Sequence, residues 1–226
     1  MALILNIETA TKVCSVSLAE NGQEIRTVEI STEHFSHSEN LNPFIESLFK
    51  NSNYQLNQIN AVAVSEGPGS YTGLRIGVST AKGICYALDI PMIAINSLKS
   101  LANLYPKNHS YFLCPIFDAM RMEVYASIFD KDLNTLFPTT AVVIEKKSFN
   151  EFLDQNKLVF FGSGALKCQA DLQHPNAIFD LSIQVSAKGM ISLAEKKFNE
   201  NDFVNVAYFE PFYLKEFVAG EMKKLI

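Results

Sequence analysis

Apolar residues alternate or run unbroken over positions 3–8, 13–19 and 24–30, the period of β-strands, and Asn21-Gly22 supplies a tight turn between the last two. The pattern predicts a three-stranded meander. Over 38–50 the period changes: Leu41, Phe44, Ile45, Leu48 and Phe49 fall on one helical face, behind Ser36 as cap and Glu39 completing a capping box. Pro43 lies about two turns in and predicts a bend. Ala61-Val62-Ala63-Val64 reads as a buried strand and 72–88 as a helix.

The helix over 72–88 has more than one apolar face. At about 100° per residue, Leu74, Val78, Ala81, Cys85 and Leu88 form a core stripe, and Arg75, Ser79, Lys82 and Tyr86 form a narrow polar one. The remaining arc, Gly73, Ile76, Gly77, Thr80, Gly83, Ile84 and Ala87, is small and apolar where a surface helix carries charge. Gly73, Gly77 and Ala81 at four-residue steps admit a closely approaching backbone. Spacing leaves two occupants open for this arc: a neighbouring helix of the same chain, or a partner protein.

The later elements repeat the earlier order. A strand over 91–95 and a short helix over 97–104, capped by Ser97, lead to a break at 105–110, where a lobe boundary is expected. Strands follow over 111–117, 123–129 and 140–144, then a short helix over 148–153. A buried strand over 158–161 runs into Gly162-Ser163-Gly164, and a strand over 176–179 and a helix over 186–198 close the pattern. Meander, helix, strand, Gly loop and helix therefore occur twice. The expected units are residues 1–104 and 105–226, with a return of the last helix or tail onto the first lobe left open. Two lobes facing each other would form a cleft with a Gly-rich loop on each wall.

The first such loop, Glu66-Gly67-Pro68-Gly69-Ser70-Tyr71-Thr72-Gly73, joins a strand to a helix, so free N–H groups and the positive helix end converge where an anion could sit. It spells neither common phosphate fingerprint: Gly73-Leu74-Arg75 stands where Gly-Lys-Ser/Thr would end a Walker loop, and Thr72 stands where a third dinucleotide glycine belongs. A plain tight turn is the competing reading. The turn Glu8-Thr9-Ala10-Thr11-Lys12 could likewise touch a phosphate or bond only to itself.

Composition narrows the classes. With 226 residues, 48% hydrophobic and 19% charged, the chain has ample core and no apolar run near the roughly 18 residues that span a bilayer. Its first residues lack the basic region and cleavage site of a signal peptide, so a cytoplasmic location is expected. A net charge of −5 argues against holding nucleic acid unaided. Cys14, Cys85, Cys114 and Cys168 are scattered among apolar neighbours and read as core thiols. Of His34, His37, His109 and His174, only the first two approach ligand spacing, and His37 reads as a solvated first-turn residue.

The run from Gly67 to Gly77, with Ile7-Glu8-Thr9, Ala81-Lys82-Gly83, Ile90-Pro91 and Asp118-Ala119-Met120-Arg121-Met122-Glu123-Val124-Tyr125, closely resembles the TsaB (YeaZ) family over essentially the full length. The resemblance implies an α/β protein of the actin-like ATPase (ASKHA, RNase H-like) fold, with two lobes, each a mixed sheet flanked by helices. It also implies a non-catalytic subunit that binds the paralogous transferase TsaD, and with it the ATPase TsaE. That assembly makes threonylcarbamoyladenosine beside the anticodon of tRNAs reading A-starting codons, and tRNA is met only through the complex. TsaD holds its metal with a His-x-x-x-His pair just after the strand equivalent to 91–95. Alignment puts Ser97 and Leu101 at those positions, so no metal and no catalytic residue is expected.

The same resemblance places the partner surface on the first two helices, here Leu41, Phe44, Ile45 and Leu48 with Gly73, Arg75, Ile76, Gly77, Thr80, Gly83 and Ile84. A homodimer through this face is the expectation when TsaD is absent. No cofactor is expected beyond weak or vestigial nucleotide binding at Thr9, Gly67, Gly69, Gly162 and Gly164. Two rivals differ in class. A nucleotide-dependent, sugar-kinase-like enzyme needs carboxylates for magnesium and base, for which Glu8, Asp118 and Glu123 are the nearby acids. A metallopeptidase needs a histidine motif that is missing.

Overall fold

The computed structural model describes residues 2–32 and 36–215. Its first sheet is built from β1 (Leu3–Glu8), β2 (Val13–Glu20), β3 (Gln23–Ser31), β4 (Ala61–Gly67) and β5 (Met92–Asn96) in the order β3-β2-β1-β4-β5. β1 runs antiparallel to β2 and parallel to β4. The second sheet comprises β6 (Phe112–Asp118), β7 (Glu123–Phe129), β8 (Thr135–Val143), β9 (Leu158–Phe161) and β10 (Ala177–Asp180), ordered β10-β9-β6-β7-β8. Read from the meander outward, the two sheets have the same order, three antiparallel strands and then two parallel ones. The repeat that the sequence shows only as an order of elements is thus a repeat of topology.

Helices cover both faces of the first sheet over β1, β2, β4 and β5, which are buried at nearly every position, while the edge strand β3 is largely polar and exposed. Leu3, Leu5, Ile7, Val62 and Val64 pack on α1 (His37–Lys50) and α2 (Tyr71–Leu88) through Leu41, Ile45, Leu48, Val78, Ala81 and Cys85. The alternate residues Ile4, Ala61, Ala63, Ile93 and Ile95 pack on Met190 and Ala194, from the 3-10 turn Ala187–Met190 and α6 (Ile191–Asn199). Residues 187–199, late in the chain, thereby return to the first sheet.

In the second sheet Cys114, Ile116, Phe160 and their neighbours pack on α4 (Asn150–Leu153) and α5 (Ala165–Cys168), a helix the sequence pattern did not predict. The opposite face meets α3 (Ser97–Asn103). All four cysteines are buried free thiols. No helix among the described residues is long and apolar enough to cross a membrane.

Local capping departs from expectation at two helices. Ser36 is the N-cap of α1 but its side chain makes no capping bond; Asn40 Nδ2 instead donates to its carbonyl at 3.0 Å. Ser97 opens α3 rather than capping it: Asn96 is the cap, its Oδ1 accepting from Leu98 and Lys99 N–H at 3.1 Å each. α1 runs on through the exposed Pro43 to Lys50.

Candidate functional site: a closed glycine loop and a half-open helix face

The loop after β4 is shut by the chain itself. Ser70 N–H donates to Ala10 O at 2.7 Å, Gly67 N–H to Ser97 Oγ at 3.1 Å, and Gly73 N–H to Ser70 Oγ at 3.2 Å, capping α2. These are donors that an anion would have needed. A Cβ added at Gly69 would overlap Ala10 O, one at Gly73 would overlap Thr9 O, and one at Gly77 would overlap Thr9 Oγ1. The glycines at four-residue steps therefore do admit a close backbone, but it is the β1–β2 turn of the same chain.

This corrects the expected roles of several residues. Gly73 and Gly77 are buried under Thr9, and Leu41, Ile45 and Leu48 belong to the core of the first sheet, Ile45 also reaching the groove described below. Arg75 lies on another side of α2, its guanidinium 4.2 Å from the Tyr71 ring centroid and its Nε donating to Tyr213 Oη at 3.2 Å. Thr9 is fully buried. His37, read as solvated, is 2% exposed; its Nε2 sits 2.8 Å from Thr11 O, and burial pulls its pKa down. His34 lies outside the described residues.

An apolar cluster joins the two lobes. Ala10, Val13 and Leu74 from the first lobe meet Leu98, Leu101, Leu113, Phe117, Phe129 and Phe161 in one buried cluster. Gly162 packs against Ile116 O and Leu101, and Gly164 N–H donates to Ile116 O at 3.1 Å. Gly67 is covered from outside by Phe212, whose N–H donates to Glu66 O at 2.7 Å. This last contact belongs to a segment, residues 203–215, that strings across the molecule. Val204 bridges Met92, Lys82 Nζ donates to Ala207 O at 3.2 Å, the Tyr213 ring packs tilted against Tyr71, and Lys215 pairs with Glu123 on the second sheet. Sequence reading missed this strap because an extended segment laid over a surface has no helical period; the alternation of Val204 and Val206, both packed on the first core, is its only signal.

At the positions aligned with the metal-binding histidines, Ser97 is fully buried with its Oγ accepting from Gly67 N–H, and Leu101 is fully buried in the interlobe cluster. Among the described residues no group of three His, Cys, Asp or Glu side chains is placed to hold a metal.

One acid is unusual. Glu8 is fully buried at the end of β1, and burial pushes its carboxyl up from 4.5 to about 7, against hydrogen bonds from Ala10 N–H, Ser65 and Thr9 N–H. Between those two values the folded protein holds a proton that the unfolded chain releases, so stability falls as pH rises through the window, by about 3 kcal/mol in all. Glu8→Gln keeps the acceptor for Ala10 N–H and removes the titration. Buried His37 pulls the other way in this window, so the difference isolates Glu8: urea midpoints from pH 5.5 to 8 should fall for the parent relative to the variant, and parallel slopes would refute this assignment.

What remains open is an edge of the α1–α2 face. Phe44, Ile76, Thr80 and Ile84 are half-buried, Gly83 is exposed, and a Cβ at Gly83 would meet nothing within 4 Å. Beside them lies a groove of about 360 Å³, lined by Asn42, Ile45, Glu46, Phe49, Leu56 and Ile84 among others. Phe49 and Leu56 are additions that the sequence reading did not assign to the surface. Tyr86, one turn further along α2, is 87% exposed.

Comparison with known proteins agrees with this architecture. The family model described as tRNA N6-adenosine threonylcarbamoyltransferase (TsaD) matches residues 31–220. The tRNA threonylcarbamoyladenosine biosynthesis protein TsaB of Escherichia coli K12 is 30% identical over 224 residues, 96% of each chain. Its counterpart in Bacillus subtilis 168 is 34% identical over 126 residues, 56% of this chain and 54% of that one. In structure, a Pseudomonas aeruginosa protein described as similar to peptidase YeaZ superposes with a TM-score of 0.84 at 24% identity, covering 95% of this chain and all of that one. YeaZ from Pseudomonas aeruginosa follows with a TM-score of 0.79 at 24% identity and the same coverage. On a match spanning nearly the whole of both sequences, the chain belongs to the TsaB (YeaZ) family, and it carries the domain that the TsaD family model describes.

Proposed function

We propose that this chain is the non-catalytic scaffold of tRNA threonylcarbamoyladenosine synthesis. In this reading it holds the transferase TsaD against the open edge of α1 and α2, and TsaE joins that pair. It works in the cytoplasm as two lobes divided near residue 104, meets tRNA only within the complex, and pairs with itself through the same edge when TsaD is absent. It holds no metal or nucleotide of its own.

The observation that carries this reading is the state of Ser97 and Leu101. One is committed to the Gly67 N–H and the other to the apolar interlobe core, so neither side chain is presented as a ligand. The names of the relatives, biosynthesis proteins for the modified nucleoside, supply the pathway. The closed Gly67 loop supports the absence of a phosphate site, and the α1–α2 edge supplies the surface.

The test is to mix the purified chain with purified TsaD and resolve the products by size-exclusion chromatography with light scattering. A co-eluting complex is expected, with no ATP turnover by the isolated chain. Separate elution, or ATP turnover by the chain alone, would overturn the scaffold reading.

A further inference from the structure

The strap of residues 203–215 leaves a cavity of about 460 Å³ against the end of β4, lined by Glu66, Phe209, Glu210, Pro211, Phe212 and Tyr213. That is the size of a small-molecule site. Its wall is pinned at both ends. Phe209 packs on the first core and its N–H donates to Asn205 O at 2.9 Å. At the other end Phe212 N–H donates to Glu66 O, and the Tyr213 hydroxyl accepts from Arg75 while its ring packs against Tyr71.

The chemistry of this lining is one-sided. Three of the six residues are aromatic, two are acids and none is basic. Among the described residues no lysine, arginine or histidine lies within ion-pair distance of Glu66 or Glu210. The cations that act on them from further away are engaged elsewhere: Lys197, which acts on Glu66, pairs with Asp202 at 2.8 Å, and Arg75, which Glu210 acts on, lies over the Tyr71 ring. Glu66 is also half-buried. Burial pushes its carboxyl up, against the pull of Lys197 and a hydrogen bond with Asn96, and Asp202 adds to the rise. An acid held in such surroundings without a counter-ion is destabilising, and a bound cation would relieve it.

We infer that this cavity is a binding site for an alkylammonium group, whose charge meets the two carboxylates while its carbon chain lies against the aromatic rings. Aromatic faces attract such a cation as well as covering its chain. An anion is refused by the acids, and a neutral apolar ligand would bury Glu66 still unpaired. A hard metal ion fits less well, because it takes about six oxygen ligands and most of this wall is ring and proline carbon. With two acids in the lining, a small diamine matches the charge better than a monoamine does. The group comes either as a free polyamine or as a lysine side chain of another protein. The site is separate from the α1–α2 edge, and the inference does not depend on the scaffold reading.

The experiment titrates putrescine, and separately a lysine capped at both ends, into the purified chain by calorimetry, with butanediol as the uncharged control. Putrescine is expected to bind and butanediol not to. Glu66→Gln should weaken putrescine at least tenfold with an equal or higher melting temperature, since it removes an unpaired, half-buried charge; that readout separates loss of the site from loss of the fold. Glu145→Gln, at an exposed acid on the second lobe, should leave the affinity unchanged. Tighter binding of putrescine than of capped lysine is the result for a free polyamine, and the reverse order assigns the same pocket to a lysine side chain. No binding of either amine would overturn the inference. So would equal affinity in Glu66→Gln and the parent, or an equal loss in Glu145→Gln, which would mean diffuse attraction to a chain of net charge −5.

Discussion

Gly73→Ala should lose stability by about 3 kcal/mol or more, although alanine is the better helix former by about 1 kcal/mol. The added Cβ meets the Thr9 carbonyl, which belongs to backbone at the end of β1 and cannot swing aside. The His37 ring closes the other side, 3.2 Å from where the Cβ would lie. Gly77→Ala should behave alike against Thr9 Oγ1, with a smaller loss because a hydroxyl can rotate. Gly83→Ala is the control within the same helix. Nothing lies within 4 Å of its Cβ position, so the propensity gain of about 1 kcal/mol should appear in full. Denaturant unfolding of the three variants checks the whole set; a stabilised Gly73→Ala would mean that α2 does not approach the β1–β2 turn so closely.

A charge at the open edge of α2 should separate binding from folding. Gly83→Glu points into free space in the isolated chain and should change its melting temperature by little. Under a partner it would bury an unpaired carboxylate, which costs about 3 kcal/mol or more, so affinity for TsaD should fall at least 100-fold. Thr80→Glu should act in the same direction, with some loss of stability because Thr80 is half-buried. By contrast Leu41→Glu would unfold the chain before it reported anything about a partner, since Leu41 is 2% exposed in the first core. Undiminished TsaD affinity in Gly83→Glu would move the interface elsewhere.

These contrasts show what the sequence makes readable. Period two and period 3.6 locate the strands and main helices of both sheets, because most of these elements bury at least one face and the pattern has little room to drift. Periodicity also reveals that α2 has a second small, apolar arc. It does not say what covers that arc. Gly73 and Gly77 pack on a turn more than sixty residues away in sequence, and only the fold brings the two together. His37 shows the same limit: it sits in the first turn of a helix, where solvent is the ordinary neighbour, yet tertiary packing places Thr11 over it. The strap and the interlobe cluster depend on contacts between segments far apart in the chain, as in the pairing of Lys215 with Glu123, which no local pattern encodes. The expectation that Ser97 and Leu101 stand where the resemblance places imidazoles needed only the family's motif, while the commitment of Ser97 to the Gly67 N–H needed coordinates.

The central claim is that this chain enables a reaction that it does not itself perform. Reconstituted modification of unmodified tRNA, supplied with threonylcarbamoyl adenylate, TsaD and TsaE, tests it most directly. The account predicts product only when this chain is added, and very little with the Gly83→Glu chain in its place. Full activity without the chain, or product formed by this chain with TsaD omitted, would contradict it.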